Sequence, residues 1–523
     1  MLKNLLLAAA AIALIGGCAR KEKKAEATPK DEKAAAAASS ATPAEPAKPA
    51  SKVVRPPKDP YPSTYKPYPS TPTLITGATI LTGAGERINN GSILIEGGKI
   101  RAVGAANSVT APQGATRINA AGKWVTPGII DIHTHLGVYP SPSTDSTSDG
   151  NEATAPVTSQ VWAEHSVWPQ DPGFTRALAG GITSMQVLPG SANLVGGRSV
   201  ILKNVPGRTV QEMKFPGAPY GLKMACGENP KRVYGEKGGP ATRMANMAGY
   251  RQAWIDAAAY KKKWEDYWKD AEKFYGEDKP ADDGKKAKAK AKPKDDPKKD
   301  EKAPEAPDRN LKLETLAGAL SGEITVNMHC YRADEMAFVL DMAKEFGYKV
   351  AAFHHGVEAY KIADILAQNG VCGALWADWW GFKLEAYDAV RENIALVDAQ
   401  PNGCAVVHSD SAIGIQRLNQ EAAKAMADGN RMGLKIPEER AIKWLTLNPA
   451  KSMRIDKDTG TLEVGKMADV VVWSANPFSV YALADKVYID GALLYDRADP
   501  KRSPRTDFEI GQQTNGFTGG SGQ

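Results

Sequence analysis

The pattern of apolar and polar positions divides this chain into short strands at both ends and a long alternating region between them. From Thr73, apolar and polar residues alternate between Gly and Asn turns, as in TLITGATILTG and GSILIEGGKIRAVG. A matching pattern returns near the C-terminus in GTLEVGKMADVVVW and DKVYIDGALLYD. Such alternation is typical of half-buried strands. We therefore expect residues 73–125 and 451–497 to form one small composite β-sandwich, built from both ends of the chain.

Between these pieces, over residues 126–450, strand-like runs alternate with helix-like ones. The strand-like runs are GIIDIHTH, GITSMQVLPG, YGLKMACG, EITVNMHC, KVAAFHHG, GVCGALW and GCAVVHSD. RADEMAFVLDMAKEFG and EAYKIADILAQNG have apolar residues at helical spacing. This rhythm predicts a parallel α/β architecture, and the length suits a (β/α)8 TIM barrel. The active site of such a barrel lies at the carboxyl ends of its strands.

One insertion, over residues 240–310, interrupts this rhythm. Aromatic residues fall at near-helical spacing in its first part: Trp254, Trp264, Tyr267, Trp268 and Phe274. We expect this helix to pack on the barrel wall, and a lid or a partner surface is the alternative. The lysine-rich run that follows is balanced by acids and has no apolar face, which predicts a disordered loop.

The first residues have the pattern of a targeting signal. In MLKNLLLAAAAIALIGGCAR, Lys3 precedes an apolar run that is too short to cross a bilayer. We interpret residues 1–18 as a signal peptide. Residues 19–70 are rich in Ala, Pro, Lys and Ser, and we expect a disordered tether there. A flexible tail is expected over residues 498–523.

The segment LIGGC, which ends at Cys18, resembles the lipobox of bacterial lipoproteins. This resemblance implies that Cys18 is acylated and that the protein is anchored to a membrane of the cell envelope, facing the periplasm or the cell surface. Ala19 carries no strong retention cue, which favours the outer membrane. The alternative is an ordinary signal peptide with an incidental cysteine.

Composition narrows the classes of protein. The chain has 523 residues, 42% of them hydrophobic and 24% charged, as is typical of an enzyme-sized globular body. A net charge of +6 is small for this length and does not suggest a nucleic-acid partner. The remaining cysteines lack CxxC spacing, which excludes a zinc finger, and we expect buried free thiols: Cys226, Cys330, Cys372 and Cys404.

Five residues at the ends of predicted strands have side chains that bind metals. His133 and His135 are two positions apart in GIIDIHTH, so they point to the same face of a strand. His329, His355 and Asp410 end or follow three other predicted strands. Neutral imidazoles and carboxylates are common ligands of zinc-like ions. Together the five residues predict a metal site at the mouth of the barrel.

Two further histidines adjoin these candidates. His354 precedes His355 and points to the opposite side of a regular strand, so we expect it to serve packing. His408 shares a face with Asp410, one layer deeper, where it either supports a ligand or has a structural role.

Two other residues are candidates for substrate binding. His165 lies in the irregular stretch WAEHSVWPQDPG. This stretch either lines the substrate cleft or is an ordinary loop. Arg332 follows His329 closely, and it either meets a substrate carboxylate or pairs with Asp334 or Glu335.

The order of these motifs resembles the amidohydrolase superfamily of metal-dependent hydrolases, from about Thr73 to Asp496. The similarity rests on PGIIDIHTH, MHCYRADEM, HHGVEAYKIADIL and GTLEVGKMADVVV. The nearest subgroup is the imidazolonepropionase-like and prolidase-like set. The resemblance implies hydrolysis of a C–N bond in an amide, a cyclic amide or a dipeptide.

The same resemblance implies a role for each candidate ligand. His133 and His135 would hold the more buried of one or two divalent ions, with zinc the expected metal. His329 and His355 would hold a second ion, or one of the two would orient the substrate. His355 is also a candidate catalytic residue. Asp410 would bind metal and act as the general base.

Two residues are alternative candidates for the ligand that would bridge the two ions. Two-metal members of the superfamily bridge their ions with a carboxylated lysine or a glutamate of the fourth strand, and YGLKMACGENPKR offers both Lys223 and Glu228. Glu228 has the alternative of pairing with Lys231 or Arg232.

Other functions use the same residues. A deaminase or an ester or lactone hydrolase would need the same site, whereas a cell-envelope binding protein would keep the barrel without catalysis. A small-molecule substrate is expected, and a homo-oligomer is left open.

Overall fold

A computed structural model describes residues 53–141, 143–276 and 302–502 of the chain. The expectations for the signal peptide, Cys18, most of the tether, the lysine-rich run and most of the tail lie outside these residues. Within them, no helix has the combination of length and apolar character that crossing a membrane requires.

The described residues form sixteen strands, numbered in chain order. The first five are β1 (Thr73–Leu81), β2 (Arg87–Glu96), β3 (Lys99–Ala105), β4 (Thr116–Asn119) and β5 (Trp124–Pro127). The next eight are β6 (Ile129–Thr134), β7 (Ile182–Val187), β8 (Val195–Lys203), β9 (Gly221–Ala225), β10 (Thr325–His329), β11 (Val350–His354), β12 (Cys372–Leu375) and β13 (Ala405–Val407). The last three are β14 (Val470–Trp473), β15 (Ala484–Ile489) and β16 (Ala492–Asp496).

Eleven α-helices lie between or beside these strands in the described ranges. They are α1 (Pro172–Ala179), α2 (Val210–Met213), α3 (Glu228–Tyr234), α4 (Arg243–Tyr275), α5 (Leu311–Leu320), α6 (Ala333–Phe346), α7 (Ala363–Gln368), α8 (Asn393–Asp398), α9 (Leu418–Arg431), α10 (Glu438–Ala441) and α11 (Leu447–Ser452).

Strands β6 to β13 form one barrel-like sheet in which each strand neighbours the next. All pairs are parallel except those of β8, which is antiparallel to both β7 and β9. Beyond β13, the backbone N–H of Asp410 donates to the carbonyl of His133 in β6 at 3.0 Å. This bond joins the last strand to the first, so the sheet is nearly closed.

The expected mixed α/β barrel is confirmed, but its strands are not all parallel. Only residues 188–194 separate β7 from β8. A parallel connection needs a crossover of about a dozen residues or more, so a link this short can only return the chain antiparallel. The turn-forming sequence LPGSANL supplies that link.

Strands from both ends of the chain share a second sheet, in the order β16-β15-β14-β5-β1-β2-β3, with β4 paired to β1. The contribution from both ends is as expected. The junction is the antiparallel pairing of β14 with β5, which places Val472 opposite Val125. A sandwich of two layers is not confirmed.

Residues 53–70, expected to belong to the disordered tether, instead lie against the barrel. Val53 is buried, the hydroxyl of Ser63 donates to the carbonyl of Lys214 at 2.6 Å, and that of Tyr68 donates to the carbonyl of Pro206 at 2.7 Å. The tyrosines of YPSTYKPYP supply the apolar surface that the earlier Ala- and Lys-rich part lacks.

Five aromatic residues of α4 are buried: Tyr250, Trp254, Tyr260, Trp264 and Tyr267. Trp254 is fully buried and stacks on Tyr348 of the barrel wall at 4.3 Å between ring centroids. Trp264 and Tyr267 are buried with Val53 in a separate cluster. The helix therefore belongs to the wall.

The four cysteines form two disulfides, so the expected free thiols are wrong. Cys226 pairs with Cys330 just beyond the ends of the neighbouring strands β9 and β10. Cys372 pairs with Cys404 at the start of β12 and just before β13. Partners 104 and 32 positions apart become neighbours only when the sheet forms, so their spacing along the chain gave no sign of pairing.

A buried lysine joins the barrel to the composite sheet. Lys203, at the end of β8, places its ammonium 2.7 Å from the carboxylate of Asp490 and 3.5 Å from that of Asp469. These two acids flank β14 and β15, and all three side chains are buried. A buried ion network of this kind is costly to break from one side, because the remaining charges lose their partner.

We therefore expect Lys203→Met to lower the free energy of unfolding by about 3–5 kcal/mol, since two buried carboxylates would remain without a cation. Urea denaturation followed by far-UV circular dichroism measures this change. Lys344→Met is the matched control, because that lysine is 64% exposed and pairs only with exposed Asp341. Equal stability of the two variants would contradict the role of Lys203.

Candidate metal centre

The carboxyl ends of the barrel strands bring the predicted ligands together. The ring of His133 lies 5.0 Å from that of His135 and 4.5 Å from that of His355. The ring of His329 lies 5.0 Å from that of His355. The four imidazoles, which lie at or within one residue of the ends of β6, β10 and β11, thus meet in one place, as the sequence predicts.

The carboxylate of Asp410 lies at the centre of this group. Its Oδ1 is 3.1 Å from Nε2 of His135 and 3.4 Å from Nε2 of His133. Its Oδ2 is 3.6 Å from Nε2 of His355. The side chain is 22% exposed, so it can also meet a molecule that enters from the mouth of the barrel.

Two of these residues have a left-handed backbone. The φ angle is 60° at His355 and 52° at Asp410, a region that residues other than glycine rarely occupy. Such strain is concentrated at functional sites. At His355 it breaks the alternation of the strand, so that His354 and His355 both contact His133.

The expectation that His354 faces away is therefore wrong. Nδ1 of His354 lies 2.8 Å from Nδ1 of His133, and its Nε2 lies 3.1 Å from Oδ1 of Asn327. Nδ2 of Asn327 lies 3.5 Å from the carbonyl of Thr325, which orients the amide. His354 must then donate from Nε2 and accept at Nδ1, so His133 donates from Nδ1 and keeps the lone pair of Nε2 towards Asp410.

The other rings are oriented in a similar way. Nδ1 of His135 donates to the carbonyl of Leu188 at 2.8 Å, which leaves the lone pair of Nε2 facing Asp410. Nδ1 of His355 lies 3.1 Å from Nε2 of His408. His408 thus supports His355 from one layer deeper.

A buried acid links the first and last strands of the barrel, β6 and β13. Asp131 accepts hydrogen bonds from the backbone N–H of His133 at 3.1 Å, from that of Ser409 at 3.2 Å and from the Ser409 hydroxyl. Burial raises the pKa of Asp131 to about 7. Sequence reasoning missed this pair, although IIDIHT shows an acid two positions before His133 on the same face of the strand.

Burial favours the neutral form of three of these imidazoles. It lowers the pKa of His133, His329 and His355 well below the usual 6.5, because a charged ring would be desolvated. Nδ1 of His329 is buried and has no hydrogen-bond partner among the described residues, while its Nε2 lies 3.3 Å from the amide nitrogen of Asn229.

Of the two bridge candidates, the structure brings Lys223 to the cluster. Its ammonium lies 3.3 Å from Nε2 of His133, and burial lowers its pKa to about 8. Glu228 lies at the start of α3, where its carboxylate is 3.7 Å from the ammonium of Lys383. It therefore pairs neither with Lys231 nor with Arg232 in the structure.

The two substrate-binding candidates do not join the cluster. His165 stacks on Trp162 at 5.3 Å and packs edge-on to Tyr61. Arg332 donates to Asp334 at 3.0 Å and is largely exposed.

Sequence reasoning also missed a tryptophan at the site. Trp376 directly follows β12 and stacks on His355 at 4.4 Å, with 26° between the ring planes. Its position at the end of the predicted strand GVCGALW was the available signal.

The donor set fits a divalent cation. Ligand atoms of His133, His135 and Asp410 lie within 4.8 Å of one another, as do those of His133, His355 and His408. Neutral imidazole nitrogens and a carboxylate are the ligands that zinc-like ions take. The ring of His329 lies 5.0 Å from that of His355, and its Nδ1 is a further buried nitrogen without a hydrogen-bond partner among the described residues.

Comparisons with known proteins point to one family. The model of the Amidohydrolase family matches residues 391–494. The amidohydrolase tasK of Hapsidospora irregularis is 30% identical over 425 residues, which are 78% of this chain and 40% of that protein. An imidazolonepropionase of Cupriavidus taiwanensis is 46% identical over 50 residues, which are 9% of this chain and 12% of that protein. This chain thus spans less than half the length of these curated relatives.

A solved structure extends the similarity over most of the chain. The crystal structure of an amidohydrolase from Thermotoga maritima MSB8 is 33% identical, with a TM-score of 0.68. The match covers 81% of this chain and 100% of the Thermotoga chain.

The hydrogen-bond chain through Asn327 predicts which nitrogen of His133 carries the proton. We expect Nδ1-protonated His133 in the unsubstituted protein and a rise of the Nε2-protonated form in Asn327→Leu, which removes the acceptor for His354. Nitrogen–proton NMR of protein labelled at histidine distinguishes the two forms. Asn327→Asp keeps an acceptor and should retain the original form. An unchanged His133 signal in a folded Asn327→Leu protein would contradict the chain.

Proposed function

This chain belongs to the amidohydrolase superfamily, and we propose that it is a metal-dependent hydrolase of C–N bonds in an amide, a cyclic amide or a dipeptide. The observation that carries the proposal is the convergence of three imidazoles on one carboxylate. Nε2 atoms of His133, His135 and His355 all lie within 3.6 Å of the oxygens of Asp410.

In this proposal His133 and His135 hold one divalent ion, and zinc suits their neutral nitrogens. His329 and His355 would hold a second ion, or one of them would orient the substrate in a one-metal site. Lys223, if carboxylated on its amine, would be the favoured bridging ligand, because its side chain reaches His133 whereas that of Glu228 reaches Lys383.

A divalent cation bound there supplies Lewis acidity, which lowers the pKa of water towards ~7 and polarises a carbonyl group. Asp410 acts as the general base that accepts a proton from the attacking water and returns it to the leaving amine. Its partial exposure suits this role, since the carboxylate must meet both water and substrate. The ring of Trp376 covers one face of His355 and limits the access of bulk water there.

Metal analysis tests this function directly. We expect about one or two zinc-like ions per purified chain. His135→Ala should lose bound metal and at least ~100-fold in hydrolysis of a responsive amide, because one ligand of the cation is removed. Far-UV dichroism should stay unchanged.

His165→Ala is the matched control and should keep both metal and activity, because His165 packs on Trp162 away from the cluster. Full metal content and activity in His135→Ala would contradict the proposed centre. Turnover of lactones or amino-heterocycles with no turnover of amides would move the proposal to the ester hydrolase or deaminase class.

We also propose that the protein is exported and anchored to the cell envelope through acylated Cys18. The two disulfides support export, because such bonds form and persist in oxidising compartments. The lipobox-like LIGGC supports the anchor.

Labelling of producing cells with an alkyne-bearing fatty acid tests the anchor. We expect the unsubstituted protein to take up the label and Cys18→Ser to lose it, because the thiol is the acylated group. Ser39→Ala, in the same N-terminal region, should label normally. Equal labelling of Cys18→Ser would rule out acylation at this position.

A further inference from the structure

The segment that follows β12 forms an aromatic wall beside the candidate metal centre. The aromatic wall consists of Trp376, Trp379 and Phe382. Trp376 stacks on His355, and the rings of Trp379 and Phe382 lie 5.0 and 5.9 Å from that of Trp376. Trp379 and Phe382 are 44% and 52% exposed, so the wall offers apolar surface to a molecule at the mouth.

Lys383 extends from the same segment towards the metal centre. Its ammonium lies 5.0 Å from the centre of the Tyr331 ring, and that ring lies 4.7 Å from the ring of His329. The ammonium also donates to Oδ1 of Asn229 at 2.6 Å, and Nδ2 of Asn229 lies 3.3 Å from Nε2 of His329. Along both paths, one residue separates Lys383 from His329.

The hydrogen-bonding capacity of this ammonium is only partly used. A lysine ammonium has three protons, and Asn229 accepts one of them. The carboxylate of Glu228 is 3.7 Å away, beyond hydrogen-bond distance, and no other described residue accepts a hydrogen bond from Lys383. The side chain is only 16% exposed, so water does not fully replace the missing partners.

We propose that Lys383 is a specificity-determining residue that binds a substrate carboxylate while the aromatic wall contacts an apolar group of the same molecule. The substrates are then N-acyl amino acids or short peptides with a free carboxylate close to the scissile amide. Arg332 does not fill this role, since it is exposed and pairs with Asp334. This inference rests on the proposed hydrolytic function of the centre.

The test compares matched pairs of substrates on the full, metal-loaded chain. N-acetyl-L-phenylalanine and leucyl-leucine are assayed beside their carboxamides, which keep the scissile bond and remove the negative charge. We expect the unsubstituted protein to prefer the acids. Lys383→Met should lower kcat/KM for the acids by about 10- to 100-fold, mainly through KM, because a charge-assisted bond to the bound substrate is lost. The carboxamides should change less than about twofold.

Two further variants separate recognition from folding. Lys383→Arg keeps the positive charge and should restore the preference for acids. Lys424→Met removes a lysine that pairs with Asp378 of the same segment but is 40% exposed, and it should match the unsubstituted protein. An equal loss on acids and carboxamides in Lys383→Met would assign Lys383 a structural role and overturn the inference.

Calorimetric titration with the same four compounds separates this inference from the function on which it rests. Tighter binding of the acids, lost in Lys383→Met, without hydrolysis of any compound would overturn the proposed function and keep the role of Lys383. Hydrolysis without a preference for the acids would support the proposed function and contradict the role of Lys383. Absence of an acid preference in both binding and turnover overturns the inference.

Discussion

The candidate metal centre depends on the hydrogen bond that closes the barrel, from the backbone N–H of Asp410 to the carbonyl of His133. In the barrel, His133 lies in the first strand, β6, and His135 lies just beyond it, whereas Asp410 follows the last strand, β13. Only closure of the sheet brings these groups within 3.1–3.4 Å. Asp131 strengthens the same junction, because it binds the backbone of His133 and both the backbone and the hydroxyl of Ser409. The geometry of the centre is therefore coupled to the integrity of the fold.

The parts of this centre that sequence reasoning predicts follow from local rules. Alternation along a strand places His133 and His135 on one face, and the barrel places strand ends together. The failures come from features that no local rule contains. His354 joins the centre because φ at His355 is positive, and β8 runs antiparallel because residues 188–194 cannot form a crossover. The disulfide partners are likewise brought together only by the order of strands in the sheet.

Burial of so many polar groups costs free energy, and the structure offsets this cost with hydrogen bonds that would also suit the proposed metal binding. Neutral imidazoles are cheaper to bury than charged ones, and burial lowers the pKa of His133 and His355 accordingly. The Nδ1–H of His135 finds an acceptor in the carbonyl of Leu188, and Nδ1 of His133 and of His355 lie 2.8 and 3.1 Å from ring nitrogens of His354 and His408. The same hydrogen bonds direct the Nε2 lone pairs towards Asp410. Satisfying the buried donors thus orients the ligands.

The proposed chemistry and the proposed selectivity of this site have different structural origins. The ligands lie at or just beyond the ends of barrel strands, whose pairing gives them little freedom, whereas Trp376 and Lys383 belong to the connection that follows β12. Connections tolerate changes of sequence that strands do not, so a barrel can keep one reaction while its loops alter the substrate. This division explains why sequence reasoning recognises the candidate ligands more easily than the groups that we propose to contact a substrate. A lysine in a loop has no periodic pattern around it that would predict its position. Only the structure shows that Lys383 lies near His329, with Asn229 and Tyr331 between them.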